Sequence, residues 1–131
     1  GSIAARFTAM PGASAYFKGG VVAYWNQTKE LLLGISRDTI ARYGVVSEQI
    51  VRKMAEGVRH AADAHYGIAT TGIAGPTGGS AEKPVGTVWI AVATPEQTVA
   101  ILKQCGTDRG QIIDRASAFA LGLLRDCLNG N

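Results

Sequence analysis

The stretch GTVWIAVAT, Gly86–Thr94, constrains the fold more than any other part of the chain. It is almost continuously apolar and rich in β-branched and aromatic residues, a pattern suited to a strand covered on both faces. Such a strand needs partners at its edges and helices above and below. YGIATTG, Tyr66–Gly72, reads as a short strand. TVAILKQC, Thr98–Cys105, follows the Pro95-Glu96 turn and reads as an antiparallel partner. GGVVAYWN, Gly19–Asn26, reads as a further strand.

The covering helices are equally legible. SIAARFTAM, Ser2–Met10, puts Ile3, Ala4, Phe7 and Met10 on one side and stops at Pro11-Gly12. QTKELLLG makes a short helix closed by Gly34, and SRDTIARYG runs from an N-cap at Ser36 to Gly44. Ser47 opens a longer helix reaching about Ala64. Its apolar face carries Ile50, Val51, Met54, Val58, Ala61 and Ala62, and its polar face Arg52, Lys53, Glu56 and Arg59. Asp108 and Gln111 form a capping pair for the last helix. Its predicted buried stripe is Ile112, Ile113, Ala116, Ala120, Leu123, Leu124 and Cys127. Strands alternating with helices predict an α/β fold: a single three-layer α/β/α domain with a mixed sheet. At 131 residues and 47% hydrophobic, the chain can bury one core.

Several functions are disfavoured at this level. No apolar run approaches the roughly 18 residues that would span a bilayer, and the first residues do not resemble a secretion signal. A cytoplasmic location without membrane contact is the expectation. The 13 Lys and Arg are dispersed, which argues against nucleic-acid binding. A net charge of +3 suits a small phosphate-bearing ligand equally well. Cys105 and Cys127 form neither a disulfide framework nor a metal set and read as buried thiols. His60 and His65 are five apart, the wrong spacing for a metal pair on one helix face, and read as surface residues. No metal and no cofactor are predicted.

Two segments carry possible chemistry. The loop TTGIAGPTGGSAEKPVG, Thr70–Gly86, leaves a strand end, where open α/β sheets bind ligands. Gly72, Gly75, Gly78 and Gly79 give it the freedom to turn backbone N–H groups into one concavity. Thr77 and Ser80 offer hydroxyls, and Lys83 a charge. No Gly-Lys-Ser/Thr follows, so this is not a Walker loop, and a strand follows where a dinucleotide fingerprint requires a helix. A long glycine-rich surface loop without a ligand accounts for the same composition. The second segment is AYWNQTK, in which Tyr24 stands near a strand end and Lys29 five residues on, in a helical first turn. A lysine beside a phenol makes the phenol more acidic, and a desolvated lysine is itself a base. A half-buried tyrosine and a solvated lysine would have the same spacing.

Together these segments resemble a known family. GASAYFKGGVVAYWNQTKELLLGI, then YGVVSE, then TGIAGPTGGSAEKPVGTVWIAVAT, and finally TDRGQIIDRASAFAL are similar, in one order, to the C-terminal domain of the competence/damage-inducible protein CinA. The resemblance covers essentially the whole chain. It occurs both in stand-alone domains and in longer proteins with a second, N-terminal domain. Family members include amidases that hydrolyse nicotinamide mononucleotide (NMN) to nicotinic acid mononucleotide and ammonia.

The resemblance implies a serine nucleophile assisted by Tyr24 and Lys29. It places that serine in a Glu-Ser-Cys-Thr-Gly-Gly stretch whose last glycine corresponds to Gly1, and Ser2 lies beyond it. A strand and a helix would then precede Gly1, so residues 1–131 correspond to an N-terminally truncated domain. The implied substrate-binding residues are Asn26, Thr71, Gly72, Gly75, Pro76, Thr77, Gly78, Gly79 and Arg109. Trp25 departs from the small serine usual at its position, and Ile113 stands where many members have an arginine. The implied partner is a small molecule, NMN, and a homodimer is expected. A catalytically silent nucleotide-binding or interaction module is the alternative reading.

Overall fold

The strand read most readily from the sequence is the middle one of three. The computed structural model describes residues 1–130. β1 (Gly67–Gly72), β2 (Thr87–Ala93) and β3 (Thr98–Gln104) lie in that order, and both pairings are antiparallel. Thr70 faces Ile90 across the first pairing, and Ile101 faces Ile90 across the second. Five α-helices accompany them: α1 (Ser2–Thr8), α2 (Asn26–Leu33), α3 (Arg37–Tyr43), α4 (Glu48–Ala61) and α5 (Arg109–Leu128).

β2 divides its side chains between two layers, as the two-residue period of a strand requires. Val88 and Ile90 pack with Ile112, Ala116 and Ala120 of α5 and with Cys105. Ala91 and Ala93 pack, with Ala69, on Val51 and Ala55 of α4. The α/β class and the three layers therefore match the sequence reading. A third cluster of Leu33, Ile35, Ile40 and Ile50 joins α2 and α3 to α4. There α2 and α4 approach closely: a Cβ on Gly57 would lie 2.3 Å from the Leu33 carbonyl oxygen. The predicted caps also form. Ser36, Ser47 and Asp108 accept hydrogen bonds from the backbone N–H of Thr39, Ile50 and Gln111.

Two expectations are corrected. Gly19–Asn26 is not a strand. Gly19–Tyr24 has no regular structure, and α2 begins at Asn26. The described sheet is consequently antiparallel throughout, where a mixed one was predicted. The physical reason is that no described segment pairs with it, and a strand is stable only against a ladder partner. A cleft of about 750 Å³ is lined both by residues of Gly19–Val22 and by residues of β1, among them Gly67–Thr70. The second correction concerns α5. Ile113 is 40% exposed, and Leu123, Leu124 and Cys127 are only half-buried. The buried stripe is narrower, with Ile112, Ala116 and Ala120 at four-residue steps and Ser117 beside them.

Candidate functional site

α2 begins without a side-chain cap, because Trp25 occupies the N-cap and offers no acceptor. Its first turn nevertheless carries the most unusual charged residue of the chain. Lys29 is only 6% exposed. It lies one turn before Leu33, so both fall on the helix face turned towards α4. Among the described residues, no carboxylate lies within ion-pair distance of it. Burial pushes its pKa below that of an ordinary lysine, since desolvation penalises the charged form. A lysine so placed is a proton acceptor nearer neutral pH than a solvated one.

Tyr24 stands just before that helix and is 76% exposed. It lines the cleft together with Leu33 and Gly72. Its phenolic oxygen accepts a hydrogen bond from Nη2 of Arg109 at 3.0 Å. The same guanidinium donates through Nη1 to the carbonyl of Gly75 at 2.7 Å. Three sequence-predicted residues from distant parts of the chain are thus joined: Tyr24, Gly75 and Arg109. Arg109 is the first residue of α5, whose start is fixed by the Asp108 cap.

The glycine loop is folded on itself. The N–H of Ile73 donates to the Thr87 carbonyl, the N–H of Gly86 to the Ile73 carbonyl, and the N–H of Ser80 to the Lys83 carbonyl. Lys83 is drawn inward and donates through Nζ to the Val46 carbonyl at 2.6 Å. Gly75 has φ +73°, and a Cβ there would meet Cγ1 of Val85 at 2.6 Å. Gly72 and Gly79 are packed as tightly, against Val88 and against the backbone of Val85. These glycines are needed for close packing. Pro76, Thr77, Gly78 and Gly79 remain exposed at its tip.

The other predicted residues are placed as follows. Thr71 is buried, and its hydroxyl donates to the Val45 carbonyl at 2.7 Å, tying β1 to the segment ahead of α4. Asn26 is exposed at the first turn of α2. Ser2 and Ser117 hold each other, their oxygens 2.9 Å apart. His60 and His65 are exposed, Cys105 is buried and Cys127 half-buried, both thiols free. No described helix is long and apolar enough to cross a membrane.

Sequence reasoning missed the role of Lys83 and the bridging role of Arg109. Both rest on contacts to backbone carbonyls 34 or more positions away, which leave no local pattern.

Comparison with known proteins gives this geometry its context. The chain is 46% identical over 125 residues to a CinA-like protein of Acidobacterium capsulatum, covering 95% of this chain and 30% of that protein. It is 48% identical over 125 residues to a CinA-like protein of Anaeromyxobacter sp. strain K, covering 95% and 31%. It thus spans about a third of the length of the curated relatives it matches. Among solved structures, it resembles the competence/damage-inducible protein CihA from Agrobacterium tumefaciens with TM-score 0.91 and 37% identity, covering 95% of this chain and 76% of that one. A CinA superfamily protein from Klebsiella pneumoniae gives TM-score 0.94 and 31% identity, covering 100% and 82%. The sequence pattern of the CinA C-terminal domain matches residues 1–128, and the chain belongs to that family.

Proposed function

We propose that this domain is the acid–base and substrate-holding part of an amidase that converts NMN and water to nicotinic acid mononucleotide and ammonia. The observation that carries the reading is Lys29, a buried lysine with no carboxylate partner among the described residues, five residues after a phenol held to the glycine loop. A structural lysine is ordinarily exposed or paired. A desolvated, unpaired one suits proton transfer.

The chemistry follows. A serine hydroxyl attacks the carboxamide carbon, and its proton passes to the neutral amine of Lys29, with Tyr24, five residues earlier in the chain, as the relay. The tetrahedral intermediate carries its negative charge on the former carbonyl oxygen, and backbone N–H groups stabilise it. One such donor is worth about 3–4 kcal/mol. Collapse breaks the C–N bond. Lys29 returns the proton to the nitrogen, which leaves as ammonia. Water, deprotonated by the same amine, then attacks the acyl-serine, releases the carboxylic acid and restores the serine. The serine is supplied by the family's Glu-Ser-Cys-Thr-Gly-Gly segment, which on this reading runs beside β1 in the 750 Å³ cleft. The exposed tip of the loop, Thr77–Gly79, faces the ribose phosphate with its backbone N–H groups.

The test is ammonia release from NMN by the protein as its gene encodes it. Stoichiometric ammonia and nicotinic acid mononucleotide support the reading. Binding of NMN without ammonia overturns it in favour of a silent binding module.

A further inference from the structure

The family resemblance counts Arg109 among the substrate-binding residues, yet its guanidinium is already engaged on two sides. We propose that Arg109 is a positioning residue: it fastens Tyr24 to the glycine loop so that phenol and loop are held in one frame. The proposal rests on the amidase reading for its catalytic consequence, and on geometry alone for the fastening itself.

Three observations carry it. First, Tyr24 has little else to fix it. It lies in a segment without ladder hydrogen bonds and is largely exposed. Its bond from Arg109 is the one side-chain hydrogen bond its phenol makes among the described residues. An exposed aromatic side chain without a partner exchanges rotamers within nanoseconds. Second, Arg109 is fixed at both ends. Its backbone opens α5 next to the Asp108 cap, and its Nη1 holds the carbonyl of Gly75. That carbonyl belongs to a buried glycine wedged against Val85. The planar fork of a guanidinium can hold two acceptors at a set angle, which an ammonium cannot. Third, the direction of the bond matters. Arginine only donates, so the phenolic oxygen accepts, and the phenol's own proton stays available for another group. Tyr24 is therefore aimed and left able to donate.

A phosphate ligand and a positioning residue behave differently when altered. The experiment uses the gene-encoded protein with ring-¹³C tyrosine, in wild-type form and as Arg109→Met and Arg109→Lys. Tyr24→Phe assigns the Tyr24 signal. In Arg109→Met, the Tyr24 ring signal moves to the position of a free, rotating tyrosine, while those of Tyr16, Tyr43 and Tyr66 stay in place. Amide exchange at the loop residues around Gly75 accelerates at least about tenfold. Arg109→Lys, which keeps the charge but not the fork, behaves like Arg109→Met. An unmoved Tyr24 signal in Arg109→Met overturns the proposal, and so does full rescue by lysine. The kinetic arm uses NMN. Positioning predicts a fall in kcat of about tenfold or more with KM within about twofold. A rise in KM of tenfold at unchanged kcat makes Arg109 a phosphate ligand and overturns the proposal. If wild-type protein releases no ammonia, the amidase reading fails, while the tyrosine spectra still decide whether Arg109 fastens Tyr24.

Discussion

Gly75 and Val85 are in contact so close that no side chain fits at position 75. A Cβ there would stand 2.6 Å from Cγ1 of Val85, on a backbone with φ +73°. Gly75→Ala therefore meets both a clash and a left-handed backbone penalty of about 1–2 kcal/mol. The expected result is a destabilisation of at least that size in urea unfolding. In a Val85→Ala background the added penalty for Gly75→Ala shrinks towards the backbone part alone. An undiminished penalty there would show that the contact with Val85 is not its source.

Lys29 makes stability depend on pH in a definite direction. Its folded pKa lies below the unfolded value of about 10.4 because burial desolvates the amine. Between the two values the unfolded chain binds more protons, so stability rises as pH rises through that window. Below the folded pKa the amine is charged in both states, and folding bears its desolvation. Lys29→Met is expected to be more stable than wild type at neutral pH, with the difference shrinking towards pH 10.4. Urea unfolding at several pH values reads this directly, and a difference independent of pH would contradict it.

The same residue governs turnover in the proposed reaction. Lys29→Ala is expected to lower NMN hydrolysis at least about tenfold, as loss of an acid–base group does. In the wild type, kcat/KM rises with pH on a limb whose midpoint lies below about 10.4, since the neutral amine is the active form. Unchanged turnover in Lys29→Ala would remove the residue from the mechanism.

Trp25 leaves the start of α2 uncapped while being 72% exposed. A serine there accepts a hydrogen bond from the helix, an effect worth about 1 kcal/mol. Trp25→Ser is expected to raise the thermal midpoint accordingly. A lower midpoint would mean that the exposed indole contributes more than the cap.

Residues 1–131 by themselves are expected to release no ammonia from NMN, because the proposed reaction takes its serine from outside them. Ammonia at a rate comparable with the gene-encoded protein would place the nucleophile within Gly1–Asn131, and Ser2→Ala and Ser117→Ala would then identify it.

Much of this was legible in the sequence because it is written in local patterns. β2 declares itself by nine nearly unbroken residues, and the Ser36, Ser47 and Asp108 caps each act within three positions of themselves. The failure at Gly19–Tyr24 has the opposite character. Its residues favour a strand, but a ladder is a property of two segments, and no described segment pairs with this one. The α5 stripe was overdrawn for a related reason. Periodicity shows which residues share a face, but the width of that face is set by what packs on it, here mainly Val88 and Ile90. The Tyr24–Arg109–Gly75 junction spans 85 positions, and although local pattern singled out Tyr24 and Gly75 and the resemblance Arg109, nothing in the sequence joined the three.

The outer side of β1 has a consequence unrelated to catalysis. Among the described residues β1 pairs with β2 alone, so its other side has no ladder partner unless the serine-bearing segment lies there. Any extended peptide can zip along such a margin with no match of side chains at all. Residues 1–131 taken alone would therefore risk copies stitching together seam to seam at high concentration, and a lysine or proline introduced along that margin would protect them better than a tighter interior.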